Sequence, residues 1–263
     1  MPSQTLQPLR SAAQSSPGKL RDAMLGICYP SDCRVCGRQI ESWHDGVVCA
    51  PCWEAAARDW ATRELCAKCG SPLRALAAHL QVTARECGKC REFAFAFARA
   101  AGVYDNALLE SILWLKRQPD LPPRLRELLC AAFEQSPEFR QCDTILPVPL
   151  HAVRQAERTF NQAELIAAAL AAHTGLRVNT ASLLRVKTTE RHRAGMGVDE
   201  RAKSLRKAFR VRAPRLIAGR ALLVVDDVMT TGSTAHEIAQ TLLDGGARTV
   251  NVLTLARAVS VFG

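Results

Sequence analysis

Residues 222–234 read LLVVDDVMTTGST and join a strand pattern, an acidic pair and a loop of small residues. The four apolar residues 222–225 predict a strand buried on both faces, as in a parallel sheet. Asp226 and Asp227 follow where that strand is expected to end, and residues 235–243 have a helical pattern. Because ligands of open α/β sheets bind beyond the carboxyl ends of strands, the stretch predicts a binding site together with the fold.

The loop after this strand has the composition of a sugar-phosphate receptor. A helix start rich in Thr, Ser and Gly presents backbone N–H groups and hydroxyls to an anion, and a carboxylate accepts hydrogen bonds from a sugar diol. We therefore expect a phosphate at the loop and a polyol at the acidic pair, in contact with Thr230, Thr231, Gly232, Ser233, Thr234, Asp226 and Asp227. The alternative is a turn in which Asp and Thr only cap the helix. It leaves two adjacent acids at a buried strand end without a partner, which is costly.

Strand and helix patterns alternate over the last two thirds of the chain. Phenylalanines at positions 93, 95 and 97 indicate a strand leading to Tyr104. Gly175 is the expected C-cap of an alanine-rich helix. Further strands are predicted at 144–148 and 250–255, and helices at 108–115 (stopped by Pro119) and 163–173. The alternation predicts an α/β fold with a mostly parallel sheet.

Eight of the 11 cysteines form four Cys-x-x-Cys pairs. In the first set, 12 residues (37–48) separate the two pairs, and in the second set 17 residues (70–86) separate them. Two such pairs complete a four-cysteine structural zinc site, which leaves no ligand position for a substrate. Disulfides and a thioredoxin-like redox pair are the alternatives. The predicted ligands are Cys33, Cys36, Cys49 and Cys52 in one site, and Cys66, Cys69, Cys87 and Cys90 in the other.

Length and composition indicate a globular protein of one large domain or two smaller ones. The chain has 263 residues, 48% of them hydrophobic, without 18 consecutive apolar residues, so no membrane span is expected. Residues 1–21 lack the apolar segment of a signal peptide, and residues 1–27 are predicted to form a flexible extension of a cytoplasmic protein. Residues 28–92 form the predicted zinc module, and residues 93–263 the predicted α/β domain.

The positive charge is concentrated in one stretch. The net charge is +10, and residues 177–220 contain 13 Lys or Arg against three acidic residues. A concentrated basic segment is typical of proteins that contact a polyanion, such as nucleic acid or a pyrophosphate-bearing substrate. The alternative is a solvated helix face, since the basic residues from Arg201 to Lys207 have near-helical spacing.

Two resemblances to known families follow from these motifs. Residues 222–234 resemble the 5-phosphoribosyl-1-pyrophosphate (PRPP) motif of type I phosphoribosyltransferases, with four hydrophobic residues, two acids and a Thr/Gly-rich loop. Zinc ribbons ahead of such a domain resemble the ComF family (ComFC/GntX-like proteins), which also matches at LWLK ending in Lys116, PVPL at 147–150 and ERTFNQA at 157–163. The resemblance implies a type I phosphoribosyltransferase-like parallel sheet with helices on both faces, preceded by a small double zinc-ribbon module.

The resemblance also implies ligands and roles. Asp226 and Asp227 would face the ribose 2′- and 3′-hydroxyls of PRPP, and the loop would hold its 5′-phosphate, with Mg²⁺ bridging pyrophosphate and ribose. Lys116, Arg158 and Arg193 are the expected pyrophosphate contacts. Such a protein transfers a pentosyl group mainly by positioning and charge stabilisation, and needs no nucleophilic side chain.

The biological role implied by the family is DNA uptake in natural transformation, alongside a helicase partner. One hypothesis is a phosphoribosyltransferase or PRPP binder. A second is a non-catalytic competence factor that binds single-stranded DNA, with affinity that depends on salt. A third is a protein whose zinc ribbons dock a partner protein.

Overall fold

The computed structural model describes residues 31–73, 86–151, 155, 159–187 and 207–259. Seven strands lie in these ranges: β1 (Phe97–Ala100), β2 (Thr144–Pro147), β3 (Arg177–Val178), β4 (Leu183–Arg185), β5 (Phe209–Val211), β6 (Ala221–Met229) and β7 (Thr249–Arg257). Five of them form a parallel sheet in the order β1-β7-β6-β2-β3. Strands β4 and β5 pair antiparallel beside it. The predicted α/β fold with a parallel sheet is confirmed.

The helices in the described ranges are α1 (Ala50–Ala61), α2 (Asn106–Leu115), α3 (Pro123–Glu134), α4 (Gln162–Thr174) and α5 (Ser233–Asp244). Asp105 caps α2 by accepting a hydrogen bond from the Asn106 N–H, and Asn161 caps α4 in the same way through the Ala163 N–H. Gly175 ends α4 with φ 74°, as expected from its left-handed C-cap position. In the part of the chain described, none of the helices has the length and apolar character to cross a membrane.

Alternate residues of the central strands enter two cores on opposite faces of the sheet. The first core packs against α2, α3 and α4, and the second against α5. Helices therefore cover both faces, as the family resemblance implied, and the central strand β7 is buried at every residue after Thr249. From β6 and β7, the first core takes Leu223, Val225, Leu253 and Leu255, and the second takes Leu222, Val224, Val250 and Val252.

Two of the predicted strands have different bounds in the structure. Strand β6 continues past residues 222–225 to Met229, because its pairing with β7 runs on to Met229↔Arg257. The acidic pair therefore lies within the paired part of the strand, not after it. The alternating phenylalanines begin a strand only at Phe97, since pairing of β1 with β7 starts at Phe97↔Asn251.

The two cysteine modules repeat one local structure. Each begins with a knuckle flanked by a β-bridge, Asp32↔Gln39 in the first module and Leu65↔Pro72 in the second. Gly37 and Gly70 follow the second cysteine of these knuckles with φ of 74° and 63°, a conformation that glycine adopts without strain. An internal repeat thus underlies the cysteine spacing.

The tryptophans contribute unequally to the first module. Trp53 is 2% exposed and enters the first core of the sheet, where its Nε1 donates to the Asp45 carbonyl at 3.0 Å. Trp43 is 55% exposed and belongs to neither core. Apolar residues of the first module join the first core, and those of the second module join the second core. Each module therefore packs on the α/β domain, and the division at residues 92 and 93 stays a prediction.

Candidate functional site

The two acidic residues of β6 lie side by side near the carboxyl edge of the sheet. Asp226 Oδ1 accepts from the Asp227 N–H at 2.9 Å, and Asp227 Oδ1 accepts from the Val228 N–H at 2.8 Å. These bonds hold both carboxylates against the strand that carries them. Both side chains are half-buried. The remaining carboxylate lone pairs suit hydroxyl donors such as those of a sugar.

Lys116 brings a positive charge to this pair. It is the C-cap residue of α2, and its Nζ lies 3.1 Å from Asp227 Oδ2. Helix α2 packs in the first core, so the amine reaches the acids from that side of the sheet. Of the three expected pyrophosphate contacts, the structure brings Lys116 to the acidic pair.

The surroundings of Asp226 disfavour its charge. Desolvation by burial, followed by the neighbouring Asp227 carboxylate, raises the pKa of Asp226 well above the ordinary value of 3.8. The Lys116 amine and the Asp227 N–H act in the opposite direction but do not offset these two effects. Strongly shifted carboxyl groups in a crevice are typical of functional sites.

The loop after β6 leads directly into α5. Gly232 is the N-cap of α5 with φ 88°, and it offers no side chain to cap the helix. Thr231 Oγ1 lies 2.9 Å from Ser233 Oγ, and Thr231 also accepts weakly from the Ser233 N–H. The first turn of a helix has backbone N–H groups without intrahelical partners. The loop therefore presents hydroxyls and amides at the positive end of the helix dipole, an arrangement that binds anions.

Asp226 and the loop after β6 border one crevice that opens to solvent. Asp226, Thr230, Gly232 and Thr234 line it, so the structure brings the predicted polyol and phosphate receptors together.

Two further lining residues were missed by the sequence interpretation. Thr254 of β7 lies in register with Asp226 and also borders the crevice, a position that an alignment of the two strand patterns would have indicated. Val148 follows β2, and its carbonyl accepts from Asn161 Nδ2 at 3.1 Å. That bond ties the start of α4 to the edge of the crevice.

The other two expected pyrophosphate contacts, Arg158 and Arg193, lie outside the described residues. Arg193 belongs to the segment between β4 and β5, and Val186 N–H donates to the Ala208 carbonyl at 2.8 Å where that segment begins and ends. Both ends of the segment are thereby fixed to the small antiparallel sheet. The roles of both arginines stay predictions.

The eight cysteines of the four pairs gather into the two predicted clusters, the first from 33 to 52 and the second from 66 to 90, and the ligand atoms within each lie within 4.8 Å of one another. In the first cluster the sulfur atoms lie 3.9 Å apart in Cys33 and Cys52 and 3.6 Å apart in Cys36 and Cys49. In the second cluster the distance is 3.5 Å both between Cys66 and Cys90 and between Cys69 and Cys87. A tetrahedral zinc with Zn–S bonds of about 2.3 Å needs sulfur atoms about 3.8 Å apart. The cysteines are free thiols, not disulfides. Both clusters therefore fit structural zinc.

The thiols that start the two clusters have matching surroundings. Burial alone raises their pKa, but backbone N–H groups outweigh it and lower the pKa of Cys33 to about 6 and that of Cys66 to about 7. The key donors are equivalent: the Cys49 N–H points to Cys33 Sγ at 3.3 Å, and the Cys87 N–H points to Cys66 Sγ at 3.2 Å. Such N–H···S contacts favour the thiolate form that a metal requires. His44, between the two pairs of the first cluster in sequence, does not belong to that cluster. Its Nε2 lies 2.7 Å from Glu127 Oε1 instead.

Two arginines lie beside the second cluster. Arg257 ends β7, is 5% exposed, and its Nε and Nη1 have no hydrogen-bond partner within the described ranges. Burial lowers the pKa of Arg257, whereas the charges of all four cysteines of the second cluster raise it. Arg99 donates to the Ala98 and Ala67 carbonyls and stacks on the Phe97 ring at 3.9 Å. A zinc ion held by these four thiolates would form a centre with a net charge of two negative, and the two guanidinium groups would offset that charge.

We expect the Asp226→Asn substitution to stabilise the free protein at neutral pH. The pKa of Asp226 is raised in the fold, so the unfolded chain releases its proton first and wild-type stability falls as pH rises above about 4. The amide removes this loss. Urea unfolding at pH 4 and pH 8 measures it: the variant should gain over wild type only at pH 8. Asp143→Asn is the control, because that carboxylate accepts from the Ala221 N–H and lies 3.7 Å from Arg220. A loss of stability for Asp226→Asn at pH 8 contradicts this account.

Comparison with solved structures finds matches of low sequence identity and low TM-score. One is the allosteric regulatory enzyme of purine biosynthesis, 18% identical, covering 54% of this chain and 30% of that chain, with a TM-score of 0.36. Another is adenine phosphoribosyltransferase from Leishmania tarentolae, 18% identical, covering 56% of this chain and 59% of that chain, with a TM-score of 0.33.

Sequence comparison identifies relatives over nearly the whole chain. The double zinc ribbon domain family matches residues 24–91. DNA utilization protein YhgH of Escherichia coli O157:H7 is 32% identical over 89% of this chain and 100% of its own length. Competence protein F of Haemophilus influenzae is 32% identical over 73% of this chain and 84% of its own length, and Competence protein ComFC of Bacillus subtilis is 33% identical over 43% and 44%. With the paired four-cysteine clusters and the parallel α/β sheet, these matches show that the chain belongs to the ComF family.

Proposed function

We propose that this protein binds PRPP or a related ribose 5-phosphate in the crevice at the end of β6. The observation that supports this most strongly is the joint lining of the crevice by Asp226 and by residues of the loop 230–234. A diol receptor and an anion receptor then lie on one strand-loop-helix unit. The 5′-phosphate takes the amides and hydroxyls at the start of α5, and the ribose hydroxyls take the carboxylates.

The pyrophosphate group of PRPP would lie on the Lys116 side of the acidic pair. The 3.1 Å ion pair between Lys116 and Asp227 holds this amine beside the diol receptor before ligand arrives. Binding exchanges part of that ion pair for contacts with pyrophosphate oxygens. Mg²⁺, a hard ion that prefers phosphate and hydroxyl oxygens, would add charge neutralisation there.

Pentosyl transfer is the reaction that such a site would support. The bond between ribose C1 and the pyrophosphate oxygen breaks, pyrophosphate leaves with the bonding electrons, and a nucleophile supplies the pair for the new bond to C1. The chain contributes by orienting the ribose through Asp226 and Asp227 and by stabilising charge on the leaving group through Lys116.

The two cysteine clusters would serve as structural zinc sites of the same protein. Zinc would crosslink the two knuckles of each module, and modules this short need such a crosslink for folding. Thiolate ligands of this kind persist in a reducing compartment, which accords with a cytoplasmic protein.

Replacing both acids by alanine should remove ribose-phosphate binding. We expect the double variant Asp226→Ala/Asp227→Ala to lose at least about tenfold in affinity, since several hydrogen bonds to charged groups are lost. Calorimetric titration with PRPP and Mg²⁺, and with ribose 5-phosphate, measures the change. Asp143→Asn is the matched control, a half-buried acid that caps the opposite end of the same strand through the Ala221 N–H. Equal affinity of wild type and double variant would refute the proposed site.

A second candidate function is binding of single-stranded DNA. It is favoured by the names of the relatives, which refer to DNA utilization and competence. It is also favoured by exposed arginines in the described part of the basic stretch, such as Arg210, Arg212 and Arg215. A helicase partner and a docking role of the zinc ribbons stay predictions.

The DNA hypothesis predicts a salt dependence that two arginines control. The pair of substitutions Arg210→Ala/Arg212→Ala should reduce the slope of log affinity against log salt by about 1.4, since each contact with a single strand contributes about 0.7. Arg126→Ala/Arg140→Ala, which removes two exposed arginines on α3 and the turn after it, should leave the slope as in wild type. Gel shifts with a single-stranded oligonucleotide at several salt concentrations give the slopes. Identical slopes in all three proteins, or no shift at low salt, would reject this function.

A further inference from the structure

Phe93 lies between the second cysteine cluster and the loop at the start of α5. Its N–H donates to the Cys90 carbonyl at 3.2 Å, so its backbone continues the knuckle that carries Cys87 and Cys90. Its own carbonyl accepts from Lys68 Nζ at 2.8 Å, and Lys68 lies in the other knuckle of the same cluster. Both knuckles therefore fix the position of Phe93.

The ring of Phe93 lies directly against Gly232. A Cβ placed on Gly232 would lie 2.8 Å from Phe93 Cζ and 2.9 Å from Cε2, which is closer than real contacts allow. Gly232 also has φ 88°, a conformation that side-chain-bearing residues rarely adopt. The glycine of the loop therefore serves two purposes: it permits the turn into α5, and it lets the loop close on the aromatic ring.

A second contact joins the same segment to helix α5. The Ala94 N–H donates to His236 Nδ1 at 3.0 Å, and the rings of Phe93 and His236 lie 6.0 Å apart. His236 belongs to the first turns of α5, and its own N–H donates to the Gly232 carbonyl at 2.8 Å. The segment after Cys90 thus contacts both the loop and the helix that presents its amides.

In the first module, the aromatic residue that follows the last cysteine does not contact the loop at the start of α5, in contrast to Phe93. Trp53 follows Cys52, is buried in the first core, and donates to the Asp45 carbonyl within its own module. The first core lies on the face of the sheet that α2, α3 and α4 cover, whereas Phe93 packs on the second core. The two repeats therefore place their aromatic residues on different faces of the α/β domain.

We infer that the second cysteine cluster, once it holds its metal, positions the phosphate loop through Phe93. Phe93 is a positioning residue: it keeps Gly232 and the first turn of α5 in the arrangement that receives a phosphate. The inference rests on the proposed function of that loop. The second cluster then contributes to ligand binding. If the loop had several conformations and only one of them bound phosphate, the apparent affinity would fall in proportion to the population of that conformation.

Metal binding at the second cluster and phosphate binding at the loop should affect each other, and either effect can be measured. If the ordered cluster favours the phosphate-binding arrangement of the loop, then bound phosphate must favour the metal-bound cluster by the same factor. One of the two zinc ions should therefore be held more tightly when ribose 5-phosphate is present. Without Phe93 the two sites lose their connection.

The matched variants are Phe93→Leu and Phe133→Leu. Both phenylalanines are half-buried, but Phe133 lies on α3 and stacks on Phe139 at 5.9 Å in the first core. For Phe93→Leu we expect roughly tenfold weaker binding of ribose 5-phosphate, as when about a tenth of the molecules keep the competent loop. Phe133→Leu should bind within about twofold of wild type, although it removes a similar apolar contact. Calorimetry gives the affinities, and metal analysis together with thermal unfolding verifies zinc content and folding.

Zinc competition on the full chain completes the test. In wild type and Phe133→Leu, ribose 5-phosphate should slow the transfer of one of the two zinc ions to a chromophoric chelator. In Phe93→Leu, ribose 5-phosphate should not change the transfer of either zinc ion. If Phe93→Leu does not fold, His236→Ala replaces it, with His173→Ala on α4 as control. Normal affinity and normal zinc protection in a folded Phe93 or His236 variant overturn the inference while the proposed function stands. If wild type binds no ribose 5-phosphate, both are overturned.

Discussion

Strand β6 pairs in parallel with β7 from Ala221↔Thr249 to Met229↔Arg257, so its ladder continues past both acidic residues. This pairing brings Asp226 beside Thr254 and fixes where the chain turns into α5. The apolar part of the strand is buried on both faces, which makes its register hard to change without moving every side chain to the wrong core. The crevice, the loop and the contact of Gly232 with Phe93 all depend on it.

The burial that fixes this register also makes ionisation of the Asp226 carboxyl group costly. Its pKa is raised by desolvation and by Asp227, so ionising this carboxyl group costs more in the folded protein than in the unfolded chain. Lys116 relieves part of the cost from the opposite side. A carboxyl group that is costly to ionise, beside the free amides of a helix start, is typical of a site whose interactions are completed by a ligand.

Short-range patterns predicted much of this molecule, and contacts between distant segments escaped prediction. The run Leu222–Val225 indicated a buried parallel strand because four apolar residues in sequence suit no half-exposed strand. Cysteine spacing predicted both clusters, since a knuckle is a local structure. In contrast, Phe93 and Gly232 are far apart in sequence. The alternation at Phe93 and Phe95 predicted a strand, but there the two rings pack on each other and the Phe93 ring lies against Gly232. The end of β6 was also misplaced, because it is set by hydrogen bonds to β7 and not by its own composition.

The central claim is that one edge of the sheet recognises a sugar diol and a phosphate together. The most direct measurement compares the affinity of the wild-type protein for ribose 5-phosphate with its affinity for 2-deoxyribose 5-phosphate, which has the same phosphate but lacks one hydroxyl of the diol. The account predicts that the deoxy sugar binds at least about tenfold more weakly, since a hydrogen bond to a charged carboxylate contributes roughly 1.5–3 kcal/mol. Equal affinities would contradict it, because the acidic pair would then have no part in recognition.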